Sequence, residues 1–284
     1  LGALFCLPLL LPIASPARDG DLRLELLDVG QGLAVMIETR RHQLLYDTGP
    51  GSPGRWDLFG AVLRPAFSSR GRIPDWVLVS HADLDHAGGL QTLRRALPAT
   101  HWLASGPPDR FRPPGAPRVA VAACDDRRRW VWDRVSFRVL HPSAYLPYRG
   151  NDSSCVLSIR GAGGSVLLPG DVGRVVERRL VAQGLAPHEV LLAAHHGSRS
   201  SSDPALLRVL EPRWVLIGAG AGNRFGFPHP EVLDRLERSA ERVLSTADCG
   251  AVRLELVGNG QVEAISARRT RAAPWRWPAA PACP

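Results

Sequence analysis

Residues 22–29 alternate apolar and polar side chains, Leu22-Arg23-Leu24-Glu25-Leu26, the period-two signature of a strand with one buried face. Residues 33–38 and Gln43–Tyr46 read as two further strands, joined by the basic turn Thr39-Arg40-Arg41-His42. Residues 58–66 pattern as a helix, Trp76–Val79 as a buried strand and residues 90–97 as a helix. An apolar run at 101–103, then, beyond a proline-rich loop at 106–117, runs at 135–140, 155–159, 165–168, 190–193, 215–217, 243–245 and 251–256 read as strands. Helical spacing recurs at 174–183, Pro204–Leu210 and 230–239. The basic-aromatic stretch Arg127-Arg128-Arg129-Trp130 with Trp132 reads as a solvated hairpin. Strands dominate first and then alternate with helices, which implies two packed sheets with helices outside, in one domain spanning 22–266.

The ends of the chain have a different character. Residues 1–13 are apolar apart from two prolines, short of the ~20 residues that cross a bilayer. They are expected to be the end of a transmembrane helix that begins upstream, followed by a linker at 14–21. Residues 267–284, rich in Pro, Ala and Trp, are expected to be a disordered tail. Composition adds one bias: the formal charge is +8, and all 35 basic residues are Arg. Arginine favours bidentate contacts to phosphate, so the excess is compatible with a nucleic-acid partner, although an Arg-for-Lys bias of the genome would produce it too. Five cysteines with no C-x-x-C spacing suggest neither a thiolate metal site nor a disulfide framework, and Cys155 reads as a small buried hydrophobe.

The chemistry collects at strand ends. Four metal-type side chains fall within six positions of Ser80-His81-Ala82-Asp83-Leu84-Asp85-His86, between a buried strand and a helix. A helix-start role would explain one of the two carboxylates, not both bracketed by imidazoles. Similar clusters recur: Asp28 and Asp47 end early strands, Asn151-Asp152 precedes one, and Asp171 follows Leu167-Leu168-Pro169-Gly170. His195-His196-Gly197-Ser198 follows another, and His229 precedes a helix. A pair of divalent ions needs several such donors and one carboxylate to bridge them, and Asp171 is the natural bridge. If the strand continues through His195 and His196 their side chains alternate, so one of the two is expected to bind metal.

The ordered set Asp47-Thr48-Gly49, His81-x-Asp83-x-Asp85-His86, Pro169-Gly170-Asp171 and His195-His196-Gly197-Ser198 resembles the metallo-beta-lactamase superfamily. The fuller set is similar, more narrowly, to the C-terminal domain of ComEC-type DNA-internalisation proteins. It adds Asp28-Val29-Gly30-Gln31-Gly32, the Asn151-Asp152-Ser153-Ser154 element, and the segment from Asn223 through His229 to Pro230. That resemblance implies an αβ/βα four-layer sandwich with a dinuclear metal site along one edge, following a membrane channel for DNA. It implies His81, Asp83 and Asp152 at one metal position, Asp85, His86 and His195 or His196 at the other, and Asp171 between them. Asp28, Asp47 and Asn151 would orient ligands, and Ser198, Arg199, Asn223 and Arg224 would grip substrate. Asp83 and the Asn151-Asp152 element stand where many members have His. Oxygen for nitrogen moves the expected metal towards Mn²⁺, with Zn²⁺ or Mg²⁺ as alternatives, and speaks against β-lactam hydrolysis.

The expected function is therefore a metal-dependent deoxyribonuclease in a membrane DNA-uptake protein, acting on the strand that is not imported, with Asp85, Asp171 and His229 catalytic. Single-stranded DNA, the upstream channel and other competence proteins are the expected partners, and the outer face of the inner membrane the expected location. Two rivals share the fold: a hydrolase of a small phosphodiester or ester, and a non-catalytic module that guides DNA to the channel.

Overall fold

The structure, a computed structural model, describes residues 18–52, 54–97, 100–107, 111, 121–258, 260–266 and 283. The chain opens with a meander of β1 (Leu22–Leu26), β2 (Val35–Glu38) and β3 (Gln43–Tyr46). A small ribbon of β4 (Gly51–Ser52) and β5 (Trp56–Asp57) follows. A π-type turn at Phe59–Leu63 then runs into α1 (Arg64–Ser68). Next come β6 (Trp76–Val79), α2 (Leu84–Ala87), α3 (Leu90–Ala96), β7 (His101–Ala104) and β8 (Ala122–Ala123). The second half contains β9 (Arg129–Trp132), β10 (Val135–His141), β11 (Val156–Gly161), β12 (Gly164–Leu168), α4 (Arg174–Ala182), β13 (Val190–Leu192), α5 (Pro204–Leu210), β14 (Trp214–Ile217), α6 (Pro230–Glu237) and β15 (Arg242–Ser245). It ends with α7 (Thr246–Cys249), β16 (Val252–Val257) and β17 (Gln261–Ser266).

Two mixed sheets result. One has eight strands in the order β17-β16-β1-β2-β3-β6-β7-β8, the other seven in the order β15-β14-β13-β12-β11-β10-β9. The inward faces of both, including Leu24, Tyr46, Phe137, Ile159 and Leu254, form the central core. A second apolar layer lies between the seven-stranded sheet and α4, α5 and α6, and a third between the eight-stranded sheet and the helices of the first half. This is the expected four-layer αβ/βα sandwich. Tyr46, fully buried, ties the sheets by donating its hydroxyl to the Cys155 carbonyl at 2.7 Å. Local sequence sets the helix ends: Asp203 caps α5 by accepting from the Ala205 N–H at 2.8 Å, with Pro204 at its first position.

Several expectations need correction. The stretch 127–132 does form one arm of a hairpin, β9–β10, but only one of its faces is solvated: Trp130 and Trp132 turn inward and pack on Phe137, with the Trp130 and Phe137 rings stacked at 5.0 Å. The cysteines do pair: Cys124 bonds Cys155 and Cys249 bonds Cys283. The partners are separated by 31 and 34 residues, spacings that carry no local signature. Strand β17 goes beyond the expected elements; Val262 and Ala264 turn inward, half-buried, between exposed Gln261, Glu263 and Ile265, and it forms by pairing along β16 at an edge of the sheet. The expected membrane-helix end at 1–13 and most of the linker and tail lie outside the described residues. The end of the linker is docked, Gly20 N–H donating to Asp133 O at 2.7 Å. Among the described residues no helix is long and apolar enough to cross a membrane.

Candidate metal centre

The first group of candidate ligands hangs from the eight-stranded sheet. β6 ends at Val79, and the chain turns through Ser80, His81 and Asp83 into the single turn α2, which carries Asp85 and His86. Two loops hold that turn from below. Leu33 N–H donates to Asp85 O at 3.0 Å, and Thr48 donates to His86 O through both N–H at 2.7 Å and hydroxyl at 2.9 Å. Gly32, at φ 142°, must be glycine, since a Cβ there would stand 2.5 Å from the Asp85 oxygen. Asp47, fully buried, accepts from Ser80 N–H at 2.6 Å, the Ser80 hydroxyl at 2.8 Å and His86 Nδ1 at 2.7 Å.

These bonds fix the tautomers. His86 spends its Nδ1 proton on Asp47, so Nε2 presents a lone pair. The Ser80 hydroxyl gives its proton to the Asp47 carboxylate, so at 3.0 Å from His81 Nδ1 it accepts, and His81 Nε2 is also left with a lone pair. That Nε2 is buried and has no hydrogen-bond partner, with Asp83 Oδ2 3.7 Å away.

The second group hangs from the seven-stranded sheet. Asp171 follows β12 after Gly170, which is in the left-handed region at φ 60° and would place a Cβ 2.7 Å from Ser154. Its N–H donates to the Ser154 hydroxyl at 3.0 Å. After β13 the strand does not persist. His195 and His196 occupy consecutive left-handed conformations, φ 51° and 55°, strain of a kind that clusters at functional sites. His196 Nδ1 donates to Gly218 O at 2.7 Å, again freeing Nε2. His195 Nε2 lies 3.4 Å from the Asn151 carboxamide.

Asp171 is where the groups meet. Its Oδ1 is 3.2 Å from His86 Nε2, and its Oδ2 is 3.7 Å from both His195 Nε2 and His196 Nε2. Donor atoms of Asp85, His86, Asp171 and His196 all lie within 4.8 Å of one another. The Nε2 atoms of His86 and His196 face each other at 3.2 Å. Two facing lone pairs, an orphaned His81 Nε2, the buried Asp171 carboxylate and the half-buried one of Asp85 form a donor set that wants a cation, so the residues fit a metal. Without one, protons take its place. Burial opposes charge on His86, but Asp171 and Asp47 outweigh it and raise its pKa well above the ordinary value. His196 is raised too, burial being overcome by Asp171 and Asp85. Burial pushes the Asp85 carboxyl up, yet His196 and His86 hold it at about 2. Asp171, likewise buried, is held far below the carboxylate range by His86 and His196.

The family model for the metallo-beta-lactamase superfamily matches residues 27–220. The chain belongs to the metallo-beta-lactamase superfamily. It is 32% identical over 253 residues to Recombination protein 2 of Haemophilus influenzae, covering 89% of this chain and 31% of that protein. It is 30% identical over 253 residues to Competence protein ComA of Neisseria gonorrhoeae, covering 88% of this chain and 34% of that protein. The chain thus spans about a third of the length of the curated relatives it matches. The metallo-beta-lactamase fold protein YhfI from Bacillus subtilis superposes with a TM-score of 0.53 at 9% identity, over 78% of this chain and 95% of that one, a likeness of fold.

Within this metallo-beta-lactamase scaffold the other expected site residues fall unevenly. His196 joins Asp85, His86 and Asp171, whereas His195 turns towards Asn151. Asp152 is a correction: its side chain is exposed and its Oδ1 accepts from Gly173 N–H at 2.9 Å, so Asn151 is the member of that element nearest the centre. Asp28 is another. It is exposed and closes a turn onto Gly30 N–H at 3.3 Å, and the loop's link to Asp85 runs through Leu33. Asn223 is a third, because its carboxamide donates to Gly220 O and Phe227 O and accepts from Phe225 and Phe227 N–H, which commits it to shaping its own loop. Arg224 is exposed and lies over the Phe225 ring at 4.8 Å. Ser198 reaches His195 through Ser200, by contacts of 3.1 and 3.3 Å, and Arg199 beside it is exposed. His229 is tied to the same turn by its N–H, 2.9 Å from Gly197 O, and its Nδ1 is buried and unpartnered. Ser80 and Ser154 stand inside motifs singled out from the sequence and Ser200 beside one, but their orienting of the histidines and Asp171 depends on contacts that only the fold creates.

Proposed function

We propose that the chain is the metal-dependent nuclease domain of a membrane DNA-uptake protein and hydrolyses DNA phosphodiester bonds. The observation that carries this reading is the oxygen-rich donor set around Asp171: three carboxylates, of Asp83, Asp85 and Asp171, interleaved with Nε2-presenting histidines. Oxygen donors suit hard ions, which favours Mn²⁺ over Zn²⁺. Asp85, His86, Asp171 and His196 would hold one ion, and His81, Asp83, Asp171 and His195 a second. Ions bound there supply Lewis acidity to the phosphoryl oxygens and lower the pKa of the attacking water. Asp47 and Gly218 O keep His86 and His196 in the ligating tautomer. His229, tied through its N–H to Gly197 of the histidine turn, would protonate the leaving oxygen. The relatives are a competence protein and a recombination protein, which supports DNA as the substrate. The two disulfides support a position on the outer face of the membrane, since such bonds persist in oxidising compartments.

The test is degradation of labelled single- and double-stranded DNA by the purified chain with Mn²⁺. Cleavage should vanish in Asp85→Ala and Asp171→Ala. A chain that binds two ions per molecule yet cuts neither substrate would sink the reading.

A further inference from the structure

The helices that cover the seven-stranded sheet stop short of its far edge. On β10, Val135, Phe137 and Val139 point into the core while Ser136 and Arg138 point out, and among the described residues no helix covers them. The outer faces of β9, β10 and β11, with the end of α4 as one wall, enclose a groove of about 740 Å³. Its floor is basic. Arg129 and Arg138 are directly opposed across the β9–β10 pair, both exposed, and no ion pair joins either to an acid among the described residues. Arg160 on β11 lies in the same groove and bonds only carbonyl and imidazole groups, Pro187 O at 2.6 Å and His188. Asp126 is the one acid of the lining, and its Oδ1 accepts from Ala144 N–H.

Like charges directly opposed on a sheet are unfavourable, so the arrangement calls for an anion. Arginines that merely guard a sheet edge against pairing would sit on β9 alone, yet Arg138 and Arg160 lie on the two strands inside it. Their neighbours are otherwise occupied: Arg127 is paired bidentately with Asp125, and the Ser158 hydroxyl contacts His188 Nε2 at 2.7 Å. Trp130 and Trp132 face the core, so the strand pair offers no indole ring to stack a base. The groove also points at the metal centre. β10 ends at His141, which contacts Asp152 O at 2.7 Å, one residue from Asn151. Beside it on α4 stands exposed Arg179, whose charge adds to burial in lowering the His141 pKa.

We propose that the outer face of β9–β11 is a binding groove for the phosphate backbone of single-stranded nucleic acid, distinct from the metal centre and indifferent to base identity. The identity of the polymer rests on the nuclease reading above; the groove itself is tested without catalysis. The full 284-residue chain, stripped of metal in EDTA, is titrated against labelled oligothymidylate over a range of NaCl concentrations by fluorescence anisotropy. Arg129→Gln/Arg138→Gln is expected to lose about tenfold in affinity at moderate salt and to reduce the slope of log K on log salt by about 1.4, at about 0.7 per phosphate contact. An abasic deoxyribose-phosphate oligomer should bind as well as oligothymidylate. The control pair Arg208→Gln/Arg242→Gln, exposed on other elements, should change nothing. All variants should keep full metal uptake and unchanged hydrolysis of bis(p-nitrophenyl) phosphate. An unchanged slope in the groove variant, an equal loss in the control pair, or a requirement for bases overturns the groove. If the groove variant loses binding while no variant cuts DNA, the groove stands and the nuclease reading falls.

Discussion

Asp47→Asn isolates what the buried carboxylate does for the centre while changing its shape little. In the wild-type chain Asp47 accepts three hydrogen bonds, from Ser80 N–H, Ser80 Oγ and His86 Nδ1, at 2.6, 2.8 and 2.7 Å. Ser80 N–H binds Oδ1 while the Ser80 hydroxyl and His86 Nδ1 share Oδ2, so an asparagine that keeps its oxygen on the Ser80 N–H turns its NH₂ to the Ser80 hydroxyl and to His86 Nδ1, both of which must turn acceptor. The imidazole proton moves to Nε2, the atom that faces Asp171 and His196. Ligation then requires the other tautomer, and the protonated Nε2 of the buried His86 faces the equally buried His196. Loss of such a supporting bond typically costs 10–100-fold in metal affinity, about 1.4–2.8 kcal/mol. The variant should therefore bind Mn²⁺ about 10–100-fold more weakly, as read by chelator competition, and recover turnover when Mn²⁺ is raised to compensate. His86 also loses one of the two carboxylates that raise its pKa, so calorimetry in buffers of different ionisation enthalpy should count fewer protons released per ion bound. Unchanged affinity together with unchanged proton release would refute the tautomer argument.

Gly32→Ala should lower stability by about 2 kcal/mol, a Tm drop of roughly 4–8 °C, and weaken metal binding with it, because its Cβ meets the Asp85 carbonyl that orients α2. A thermal melt within a degree of wild type would contradict this. The pH dependence has a definite sign. His86 and His196, raised in the folded metal-free chain, contribute stability that is complete below about pH 6.5 and is lost as pH rises through their folded pKa values. Asp85, lowered to about 2, and Asp171, also lowered, contribute stability present above about pH 3.9 and lost as pH falls through theirs. In EDTA the Tm should thus decline from pH 6.5 upward, whereas with Mn²⁺ it should rise over the same interval as ions displace protons more readily; parallel curves would contradict both halves. Removing the Cys249–Cys283 bond as Cys249→Ser/Cys283→Ser should cost about 2–4 kcal/mol in urea unfolding, and reductant should destabilise the wild-type chain but not a variant lacking both bonds.

Much of this molecule is legible in its sequence, for identifiable reasons. The strands Gln43–Tyr46 and Trp76–Val79 are short apolar runs between polar turns, and Pro204–Leu210 has its cap and first-turn proline written before it. The donors of the centre stand out because carboxylates and imidazoles at the ends of apolar strands are few and conspicuous. What escaped depends on direction rather than composition. Asn151 and Asp152 are adjacent, and only the fold decides that one approaches His195 while the other caps the turn at Gly173. His195 and His196 diverge through a left-handed kink, not through strand alternation, and no residue type announces that conformation. Trp130 and Trp132 look like a surface patch beside three arginines, yet the period-two rule sends them inward and leaves Arg129 outside.

The donors of the metal centre belong to two different layers. His81, Asp83, Asp85 and His86 follow a strand of the eight-stranded sheet, whereas Asp171, His195 and His196 follow strands of the seven-stranded one. An ion held by Asp85, His86, Asp171 and His196 would therefore act as a clasp on one end of the sandwich, closing a seam that elsewhere is held by side-chain packing. Metal occupancy then becomes a mechanical property as well as a chemical one. Amide exchange at Val79, Ser80 and Asp171 should report the seam loosening on chelation, while the opposite ends of the same strands stay closed.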